Sequence, residues 1–532
     1  MHFCQGPISH IAPFVLIIVL LLAALWLLAV WIERITPFVL SLLGSITLAI
    51  ADNPYIRAWR SRHPRLSQII ANRLNAHKVS GLTSTVLGAV FLYLLFIYAG
   101  TTLDFLLSDP IVQTDHQLAN LLYAYRDTGL VHFFTVLTAL GDWKTVTILS
   151  TGVLAALLAS RRYALASGLV LSVLGDVFSV ALLKIIFHRP RPDLAYFAET
   201  SGSFPSGHAA ISIAFFGMVF FITWRLRLLS VKAAVPLAAS LAFMIGLSRL
   251  YLAEHYLSDV LNGYIVGALW LLTGIALALF LHEKTGKTGK TGGNAKMRRL
   301  IAAGAVIVSL AGSGYSITNY HKPLNKPGIS PATHVTNDIP ALFASGALPA
   351  MTRTITGMTQ EPINIVIVTR DASTLTKAMH KAGWNTATRP GFCTLMQASL
   401  AAWANREDAR APVTPYFWNR QPNDFGFEKP TAGKTLRKRH HVRFWKTNNM
   451  TPDGSKVFAG TASFDDGLKW GITHRIDPNI DAERDFITRD LTKAALVSSK
   501  SRFQTTTPLL GYNFTGDAFF TDGKVVLLRV KP

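Results

Sequence analysis

Long apolar runs alternate with short charged segments along the chain up to about residue 316. A membrane-spanning helix needs about 20 predominantly apolar residues, and eight runs approach or reach that length. They are Pro13–Trp31, Leu82–Thr102, Trp143–Ala159, Ala164–Phe187, Ala209–Trp224, Ala233–Leu250, Val260–Leu281 and Leu300–Ser316. A ninth run, Pro37–Ala51, is shorter, and the sequence leaves open whether it spans a membrane or lies at its interface. The pattern predicts an all-α polytopic membrane bundle. Its first span is expected to be uncleaved, because the apolar core is too long for a secretory signal peptide.

Basic residues cluster in four of the connections between these runs, at 52–78, 161–162, 225–232 and 283–299. The connection 103–129 instead carries four aspartates and one arginine. Because Lys and Arg are enriched in cytoplasmic loops, we place the four basic connections inside. This topology predicts a bacterial inner-membrane protein with the loops near Lys184 and His255 on the periplasmic side. It also exports the chain after Ser316.

The composition agrees with a membrane protein. Half of the residues are hydrophobic and 15% are charged, whereas soluble domains carry about a quarter charged residues. The formal net charge of +22 would by itself suit a nucleic-acid-binding protein. Much of that charge lies beside apolar runs, however, so the sequence predicts a membrane and no nucleic acid as its partner.

Three short segments at the ends of apolar runs hold histidines, cations and a carboxylate. They are Lys184–Pro192, Pro205–His208 and Ser248–Asp259. A group of cations and histidines at a membrane boundary is costly unless something anionic is handled there. The residue types suit a phosphate group, and we expect the three segments to form one phosphate site.

Five residues of these segments are candidates for binding the phosphate oxygens. Arg191 and Arg249 carry planar forks that suit two oxygens each, and Lys184 adds a point charge. Gly207 lets the backbone approach an anion closely, and the hydroxyl of Ser206 donates one more hydrogen bond. Alone, this Pro-Ser-Gly-His string would be an ordinary helix start.

Three further residues are candidates for the chemistry. His255 is the expected nucleophile, which requires a neutral imidazole held in one tautomer. Asp259 follows four residues later, hence on the same helical face, and accepts the proton of one ring nitrogen. His208 is the expected general acid for the leaving oxygen and then the base for water. In isolation, the His255–Asp259 pair would read as a surface contact.

The spacings K-x6-R-P, P-S-G-H and S-R-x5-H-x3-D resemble, position for position, the signature of the type 2 phosphatidic acid phosphatase family. That family includes membrane lipid phosphatases, soluble acid phosphatases and vanadium haloperoxidases. The resemblance covers about residues 80–282. It implies a haloperoxidase-like helical fold, a phosphohistidine intermediate, and neither a metal nor another cofactor.

The resemblance leaves the substrate open. Undecaprenyl diphosphate, phosphatidic acid, phosphatidylglycerol phosphate and lipid A are all compatible lipid phosphates. A lipid-to-lipid phosphotransferase with the same site is one alternative. A non-enzymatic component of envelope or secretion assembly is another. A haloperoxidase fits less well, because a membrane-embedded pocket suits a lipid.

Four other polar positions are weaker candidates. Asp176 lies within an apolar span, where carboxylates are often functional, although a buried helix–helix hydrogen bond explains it equally well. Asp142 and Lys144 are expected to cap the following helix or lie in the interface. Glu199 is either a gate for the head group or a solvated loop charge.

The chain from about residue 317 is polar, turn-rich and net positive. Alternating strand patterns and a helical pattern at Asp481–Ser498 predict an exported α+β domain. The strands Val457–Phe464 and Leu468–Thr473 are expected to form a hairpin around Asp465-Asp466-Gly467. Strings around Ala382-Gly383-Trp384, 440–445 and 474–484 resemble the LssY-like C-terminal domain. That domain is a candidate surface for an envelope or secretion partner.

The predicted division of the chain has five parts: 1–79, 80–282, 283–299, 300–316 and 317–532. They are a first span with a basic juxtamembrane segment, the catalytic bundle, a basic linker, a membrane anchor and the exported domain. Cys4 and Cys393 are expected to be far apart, so no disulfide is predicted. In the exported domain, five residues are candidates for a metal or phosphate site, although strand-edge histidines and a helix entry explain them as well: His440, His441, His474, Asp477 and Asp481.

Overall fold

The computed structural model describes residues 12–75, 78–107, 110–285, 295–325, 333–433, 435–469 and 473–531. The chain divides into two compact units, Met1–Asp109 with Arg126–Lys326, and Pro110–Tyr125 with Pro327–Pro532. These units differ from the predicted division at two places. Residues 110–125, inside the predicted catalytic segment, belong to the second unit, and residues 317–326 belong to the first.

The helices up to residue 318 build the first unit, except for α5, which belongs to the second. A π-helical turn, Val79–Thr83, precedes α4, and another, Ser212–Phe216, joins α9 to α10. The helices are α1 Ala12–Asp52, α2 Pro54–Arg62, α3 Pro64–Arg73, α4 Ser84–Leu106, α5 Pro110–Ala124, α6 Thr128–Leu140, α7 Trp143–Ala159, α8 Tyr163–Phe187, α9 Gly207–Ile211, α10 Gly217–Arg225, α11 Val231–Tyr251, α12 Leu257–Thr285 and α13 Ala295–Thr318.

Seven helices among the described residues are long and apolar enough to cross a membrane. The pair α6 and α7, bent by 41°, makes an eighth if it counts as one span. The multi-pass prediction is therefore confirmed. The structure differs at the start, where Pro13–Trp31 and Pro37–Ala51 lie in the single helix α1, with Pro37 inside it. The predicted span Trp143–Ala159 is one half of the bent pair.

Glycines allow close helix packing in the first unit. A Cβ at Gly168 of α8 would lie 2.6 Å from the carbonyl oxygen of Gly274 on α12. Nearer the start of α12, a Cβ at Gly263 would lie 2.5 Å from the carbonyl oxygen of Ser206, and one at Gly267 would clash with that of Ala210. Only hydrogen fits at these positions, so α12 contacts the start of α9 through its backbone.

The second unit contains fifteen strands among its described residues. The central sheet has the order β12-β15-β4-β10-β9-β8-β5, with β1 beside β9 and β11 beside β10, and a smaller sheet has the order β3-β2-β6-β7. The strands are β1 His334–Val335, β2 Met351–Arg353, β3 Thr359–Pro362, β4 Ile365–Thr369, β5 Asn385–Thr386, β6 Phe417–Trp418, β7 Gln421–Pro422, β8 Phe425–Pro430, β9 Lys438–Met450, β10 Lys456–Lys469, β11 Thr473–Ile476, β12 Val497–Gln504, β13 Leu509–Tyr512, β14 Ala518–Thr521 and β15 Lys524–Val530.

Both faces of the central sheet are covered, because successive side chains of a strand point to opposite faces. On β4, Ile365 and Ile367 belong to one apolar cluster, whereas Val366 and Val368 belong to another. The first cluster includes residues from two helices. The helices of this part are α14 Ile339–Ala344, α15 Ala372–Lys381, α16 Phe392–Trp403 and α17 Ile480–Lys493. The predicted α+β class is confirmed.

One expectation for this unit is wrong. The predicted hairpin at Asp465-Asp466-Gly467 is absent, because β10 runs on to Lys469 with a register shift against β11 between Asp465 and Leu468. Gly467, at φ +143°, lies in this irregular part of the strand rather than in a turn. The prediction that Cys4 and Cys393 form no disulfide involves Cys4, which lies outside the described residues.

Candidate active site

The three signature segments meet at one end of the first unit. The end of α8 brings Lys184, and the following loop brings Arg191. The start of α9 approaches α12 so closely that the Ser206 amide donates to the Asp259 carbonyl oxygen at 2.9 Å. His188 ends α8 in the left-handed conformation, with φ of 43°, and so turns the chain toward this cluster. The structure thus brings together the residues that the spacing singled out.

An aspartate and an arginine hold His255 in place. Nδ1 of His255 lies 3.5 Å from Oδ2 of Asp259. That oxygen also accepts the amide of Tyr256 at 2.9 Å, while Oδ1 accepts Arg189 Nη1 at 2.6 Å. The guanidinium of Arg189 lies between two rings, 4.4 Å from that of Phe105 and 4.3 Å from that of Tyr256. These contacts fix the carboxylate beside the imidazole.

The other ring nitrogen of His255 faces the phosphate-binding cations. Arg191 Nη1 lies 3.4 Å from Nε2. Arg191 also donates to the backbone oxygen and hydroxyl of Ser201, both at 3.0 Å, and Lys184 donates to the same hydroxyl at 3.2 Å. These contacts place Arg191 beside Nε2 and join it to Lys184 through the Ser201 hydroxyl.

Glu254 is a carboxylate that sequence reasoning missed. One of its oxygens lies 3.4 Å from Arg191 and 3.5 Å from Arg249, and the other accepts the amide of Phe197 at 2.7 Å. Arg249 also donates to the Thr138 hydroxyl at 2.6 Å. Glu254 is fully buried. Its position immediately before His255 is the feature of the sequence that could have identified it as a site residue. It spaces the two guanidinium groups.

Two buried polar atoms at the start of α9 have no hydrogen-bond partner among the described residues. They are Oγ of Ser206 and Nε2 of His208. Gly207 begins the helix between them, and His208 lies within electrostatic range of His255 and Arg249. Buried polar atoms are normally paired, so these two are free for a ligand.

The surroundings of His255 keep its imidazole neutral. Burial lowers the pKa of His255 well below its ordinary value, and the positive charges of Arg191, Arg249 and Lys184 lower it further. A neutral ring that has one nitrogen facing Asp259 leaves a lone pair on the other. This is the state that nucleophilic attack requires.

A lysine beyond the predicted anchor reaches the loop that precedes α9. Lys322 forms an ion pair with Glu199 at 2.5 Å and lies 3.9 Å from Asp142. Backbone hydrogen bonds join the two segments, since Ala198 donates to Pro323 and Asn325 donates to Tyr196. Burial raises the pKa of Glu199, but the hydrogen bond and charge of Lys322 outweigh it, so the net shift is downward. Glu199 is therefore neither a free gate nor a solvated charge.

The remaining weak candidates have structural explanations of different strength. Asp142 accepts the Lys144 amide at 3.0 Å and caps α7, which confirms the capping interpretation. Asp176 is buried in α8, and its Oδ1 has no hydrogen-bond partner in the part of the chain that the structure describes. No contact links Asp176 to the signature residues among those described, so its role stays open.

The five candidates in the second unit do not assemble. His440 faces α17, where it lies 2.8 Å from Glu483. Asp477 accepts the Asn479 amide before that helix, and Asp481 accepts the Thr521 hydroxyl at 2.8 Å. Only His441 and His474 meet, because adjacent strand residues such as 440 and 441 point to opposite faces. Within the described ranges, no group of three or more His, Cys, Asp or Glu has a metal-binding arrangement.

Comparisons with known proteins find relatives of part of this chain. Phosphatidylglycerophosphatase B of Bacillus subtilis is 37% identical over 92 residues, which is 16% of this chain and 45% of that relative. The match thus spans less than half of the relative's length. The crystal structure of a transmembrane PAP2 type phosphatidylglycerolphosphate phosphatase from B. subtilis is 24% identical. The match covers 38% of this chain and 98% of that chain, with a TM-score of 0.32. The crystal structure of Aquifex aeolicus LpxE is 25% identical. That match covers 30% of this chain and 92% of that chain, with a TM-score of 0.24.

Two family models match separate parts of the sequence. The PAP2 superfamily model matches residues 163–284, which hold all of the signature residues. The LssY C-terminus model matches residues 345–525, in the second unit. Both resemblances inferred from the motifs are confirmed. This multi-pass membrane chain therefore joins a PAP2 superfamily domain to an LssY C-terminal domain.

Proposed function

We propose that this protein is an integral-membrane lipid phosphatase that removes a phosphomonoester or diphosphate head group through a phosphohistidine on His255. The observation that carries the proposal is the orientation of this one side chain. Its Nδ1 faces Asp259 and its Nε2 faces Arg191. A nucleophile held by a carboxylate and aimed at a phosphate-binding cation is the arrangement that phosphoryl transfer needs.

The first step forms a bond from Nε2 of His255 to phosphorus as the ester P–O bond breaks. The Nδ1–H group keeps its proton and donates a hydrogen bond to Asp259, whose carboxylate stabilises the cationic phosphohistidine. His208 donates a proton to the leaving oxygen, so the lipid alcohol departs neutral. Arg191, Lys184 and the Ser206 hydroxyl stabilise the oxygens of the transferred group in the transition state.

The second step hydrolyses the phosphohistidine. His208, now deprotonated, accepts a proton from water as the water oxygen attacks phosphorus and the P–N bond breaks. Inorganic phosphate leaves, and both histidines return to their starting states. Over the two steps one water is consumed, and no residue of the chain is altered.

Lys322 extends the proposed site beyond the segment that matches the PAP2 model. Its ion pair with Glu199 and the backbone hydrogen bonds beside it hold the loop that leads to Ser206. We infer that residues 320–325 order this loop for substrate binding. The active part of the protein then ends near Lys326 rather than at Ser316.

The substrate class is supported by the environment of the site. The signature lies at the ends of apolar spans, and the similar proteins are named as phosphatases of phosphatidylglycerol phosphate. We propose a lipid phosphate on the periplasmic leaflet, the side opposite the basic connections. The site as described favours no one member of that class over another.

The test is phosphate release by the purified full chain in detergent over a panel of lipid phosphates. His255→Ala is expected to release none, whereas His282→Ala, an exposed histidine in the last turn of α12, keeps full activity. With a ³²P-labelled donor, wild-type protein is expected to hold acid-labile label. Equal phosphate release by His255→Ala would refute the mechanism, and label passing to a second lipid would identify a phosphotransferase.

Metal dependence is tested in the same assay. The proposed groups are cations and hydrogen-bond donors, so activity is expected to persist in a chelator. Vanadate, which mimics five-coordinate phosphorus, is expected to inhibit. Activity lost in the chelator and restored by a divalent ion would contradict this part of the proposal.

A further inference from the structure

A buried polar cluster lies on one face of the central sheet in the second unit. On β9, Arg439, His441 and Arg443 alternate with Val442 and Phe444 of the apolar core. The register pairs His441 with Ser463 of β10, so the odd-numbered residues of both strands share the polar face. One face of these two strands is thus polar although it is covered by protein.

This face borders a small cavity of about 100 Å³. Arg439, His441, Arg443 and Asp465 line it from β9 and β10, and His474 lines it from β11. Four of these five side chains are potential cations, and the cavity belongs entirely to the second unit. It is separate from the candidate active site.

Three nitrogen atoms at this cavity are buried and have no hydrogen-bond partner among the described residues. They are Nη1 of Arg443, Nδ1 of His441 and Nδ1 of His474. Arg443 is 4% exposed and His441 is 2% exposed. Buried donors without acceptors are rare in folded proteins. The two histidine nitrogens each lie 3.5 Å from Oδ2 of Asp465, whereas Nη1 of Arg443 has no ion-pair partner among the described residues. This arginine nitrogen indicates that a ligand supplies its acceptor.

The charges at the cavity leave one cation unbalanced. Arg439 is paired with Glu428 and with Asp465. The guanidinium of Arg443 forms no ion pair in the described part of the chain, since its Nε donates to the Thr414 carbonyl at 2.8 Å and its plane lies 4.0 Å from the Tyr416 ring. These contacts hold the Arg443 side chain in place, while its Nη1 donates no hydrogen bond to any described residue.

Glu361, a buried carboxylate that interacts electrostatically with Arg443, is itself engaged. Glu361 accepts the Tyr416 hydroxyl at 3.0 Å. Burial raises the pKa of Glu361, which favours its neutral form. Glu361 therefore offsets little of the positive charge of Arg443.

We propose that this cavity binds a small oxyanion, a phosphate or the phosphomonoester end of a larger molecule, through Arg443, His441 and His474. An oxygen of the anion accepts from Nη1 of Arg443, its negative charge balances that guanidinium, and the two histidine rings line the same cavity. A metal cation fits less well beside two guanidinium groups. The proposal is independent of the function proposed for the membrane unit.

The cluster is arranged for binding rather than cleavage. Nε2 of His441 lies 3.0 Å from the Ser463 hydroxyl. This resembles a Ser-His-Asp arrangement, because Nδ1 of the same ring lies 3.5 Å from Asp465. Ser463 is fully buried and does not line the cavity. A ligand in the cavity therefore does not contact the Ser463 hydroxyl.

The test counts phosphate bound per full-length protein in detergent by equilibrium dialysis with ³²P-labelled inorganic phosphate. Arg443→Gln is expected to bind about one equivalent less than wild type, because the membrane site is unchanged. Arg475→Gln removes an exposed arginine next to His474 and is expected to match wild type. The proposal is overturned if Arg443→Gln and wild type bind equal amounts of inorganic phosphate and also equal amounts of the lipid probe described below.

A lipid arm separates two sources of the anion. Short-chain dihexanoyl phosphatidic acid replaces inorganic phosphate, and an Arg443-dependent equivalent seen only with the lipid identifies a lipid head group as the ligand. If Arg443→Gln does not fold, His474→Asn serves instead, since His474 is 22% exposed. His474→Asn is expected to weaken the affinity for the phosphate group bound in this cavity by about tenfold. Unchanged affinity in both arms counts against the site.

Discussion

Two buried clusters, one in each unit, share the same three residue types in the same order of contact. In each cluster an arginine donates to an aspartate, and the carboxylate lies 3.5 Å from Nδ1 of a histidine. The clusters are Arg189–Asp259–His255 and Arg439–Asp465–His441. A histidine–carboxylate pair therefore does not by itself identify a catalytic centre in this chain.

The clusters differ at the second ring nitrogen. Nε2 of His255 faces Arg191, a cation that can pass to a phosphate oxygen. Nε2 of His441 faces the hydroxyl of Ser463 in the interior of the domain. Under the two proposals, the neighbour of this nitrogen, rather than the carboxylate, separates the nucleophile His255 from the binding residue His441.

The largest expected difference is between alanine substitutions of the two histidines. His255→Ala is expected to lower kcat by at least about 10³-fold, because the attacking atom is lost. His441→Ala is expected to leave kcat within about twofold, because it lies outside the reacting groups. Both are measured as phosphate release per folded, membrane-inserted molecule. A comparable loss in His441→Ala would abolish the distinction drawn here.

Substitutions of Arg189 and Arg439 are also expected to differ in their effect on activity. Arg189→Gln should lower kcat by about 10- to 100-fold with little change in KM, because Asp259 loses the contact that orients the imidazole. Arg189→Lys should restore part of the rate. A rise in KM with unchanged kcat would show instead that Arg189 serves substrate binding.

Arg439→Gln is the matching change in the second unit. It leaves two buried carboxylates without their partner, which destabilises a domain by about 3–5 kcal/mol. Urea unfolding followed by proteolysis of the LssY domain measures this loss. The rate per folded molecule is expected to stay at the wild-type level, and a lowered rate would connect the two clusters functionally.

Lys322 tests where the catalytic part ends. Lys322→Gln is expected to lower kcat/KM by about tenfold, because Glu199 and its loop lose their ion pair. Lys144→Gln, an exposed lysine at the start of α7, is the matched control. A chain that ends at Lys326 should keep more activity than one that ends at Ser316. Equal activity of these two truncations would exclude a role for residues 317–326.

The smallest expected effect is a change in acid stability. Burial lowers the pKa of His441 to about 3, Asp465 raises it, and Arg443 and Arg439 lower it. His474 faces the same carboxylate. Because the unfolded chain binds a proton near pH 6.5 and the folded one near 3, His441 makes the domain less stable as pH falls through that window. Glu428, whose pKa burial raises to about 7, acts in the opposite sense.

The comparison of wild type with His441→Asn isolates this contribution, since Glu428 is common to both. Proteolysis of the LssY domain at pH 7, 5.5 and 4.5 should show a shallower pH dependence in the variant. Equal pH dependence in the two proteins would mean that His441 is protonated in the folded state. If inorganic phosphate binds in the cavity, it is expected to slow proteolysis of the wild-type LssY domain.

The sequence predicted the membrane site well because its information is local. His255 and Asp259 are four residues apart, and Arg191 follows Lys184 at a fixed spacing, so one helical repeat and one motif relate them. Glu254 and Arg189 were missed although they lie within the same segments. Their roles depend on contacts across the loops, such as that between Arg189 and Asp259, which spacing does not encode.

The second unit was predicted less well because its contacts join distant strands. His441 meets Asp465 and His474 only through the register of β9, β10 and β11. The predicted turn at Asp465-Asp466-Gly467 was wrong because an Asp-Gly pair fits an irregular strand as well as a turn.

The glycines of α12 also predict where inactivating mutations will occur. Gly263 and Gly267 carry no chemistry, yet a Cβ at either would meet the backbone at the start of α9. A single alanine there would move Ser206 and His208 away from His255 without altering any of them. In a random-mutagenesis screen for lost activity, we expect these two glycines among the most intolerant positions, together with the charged signature residues.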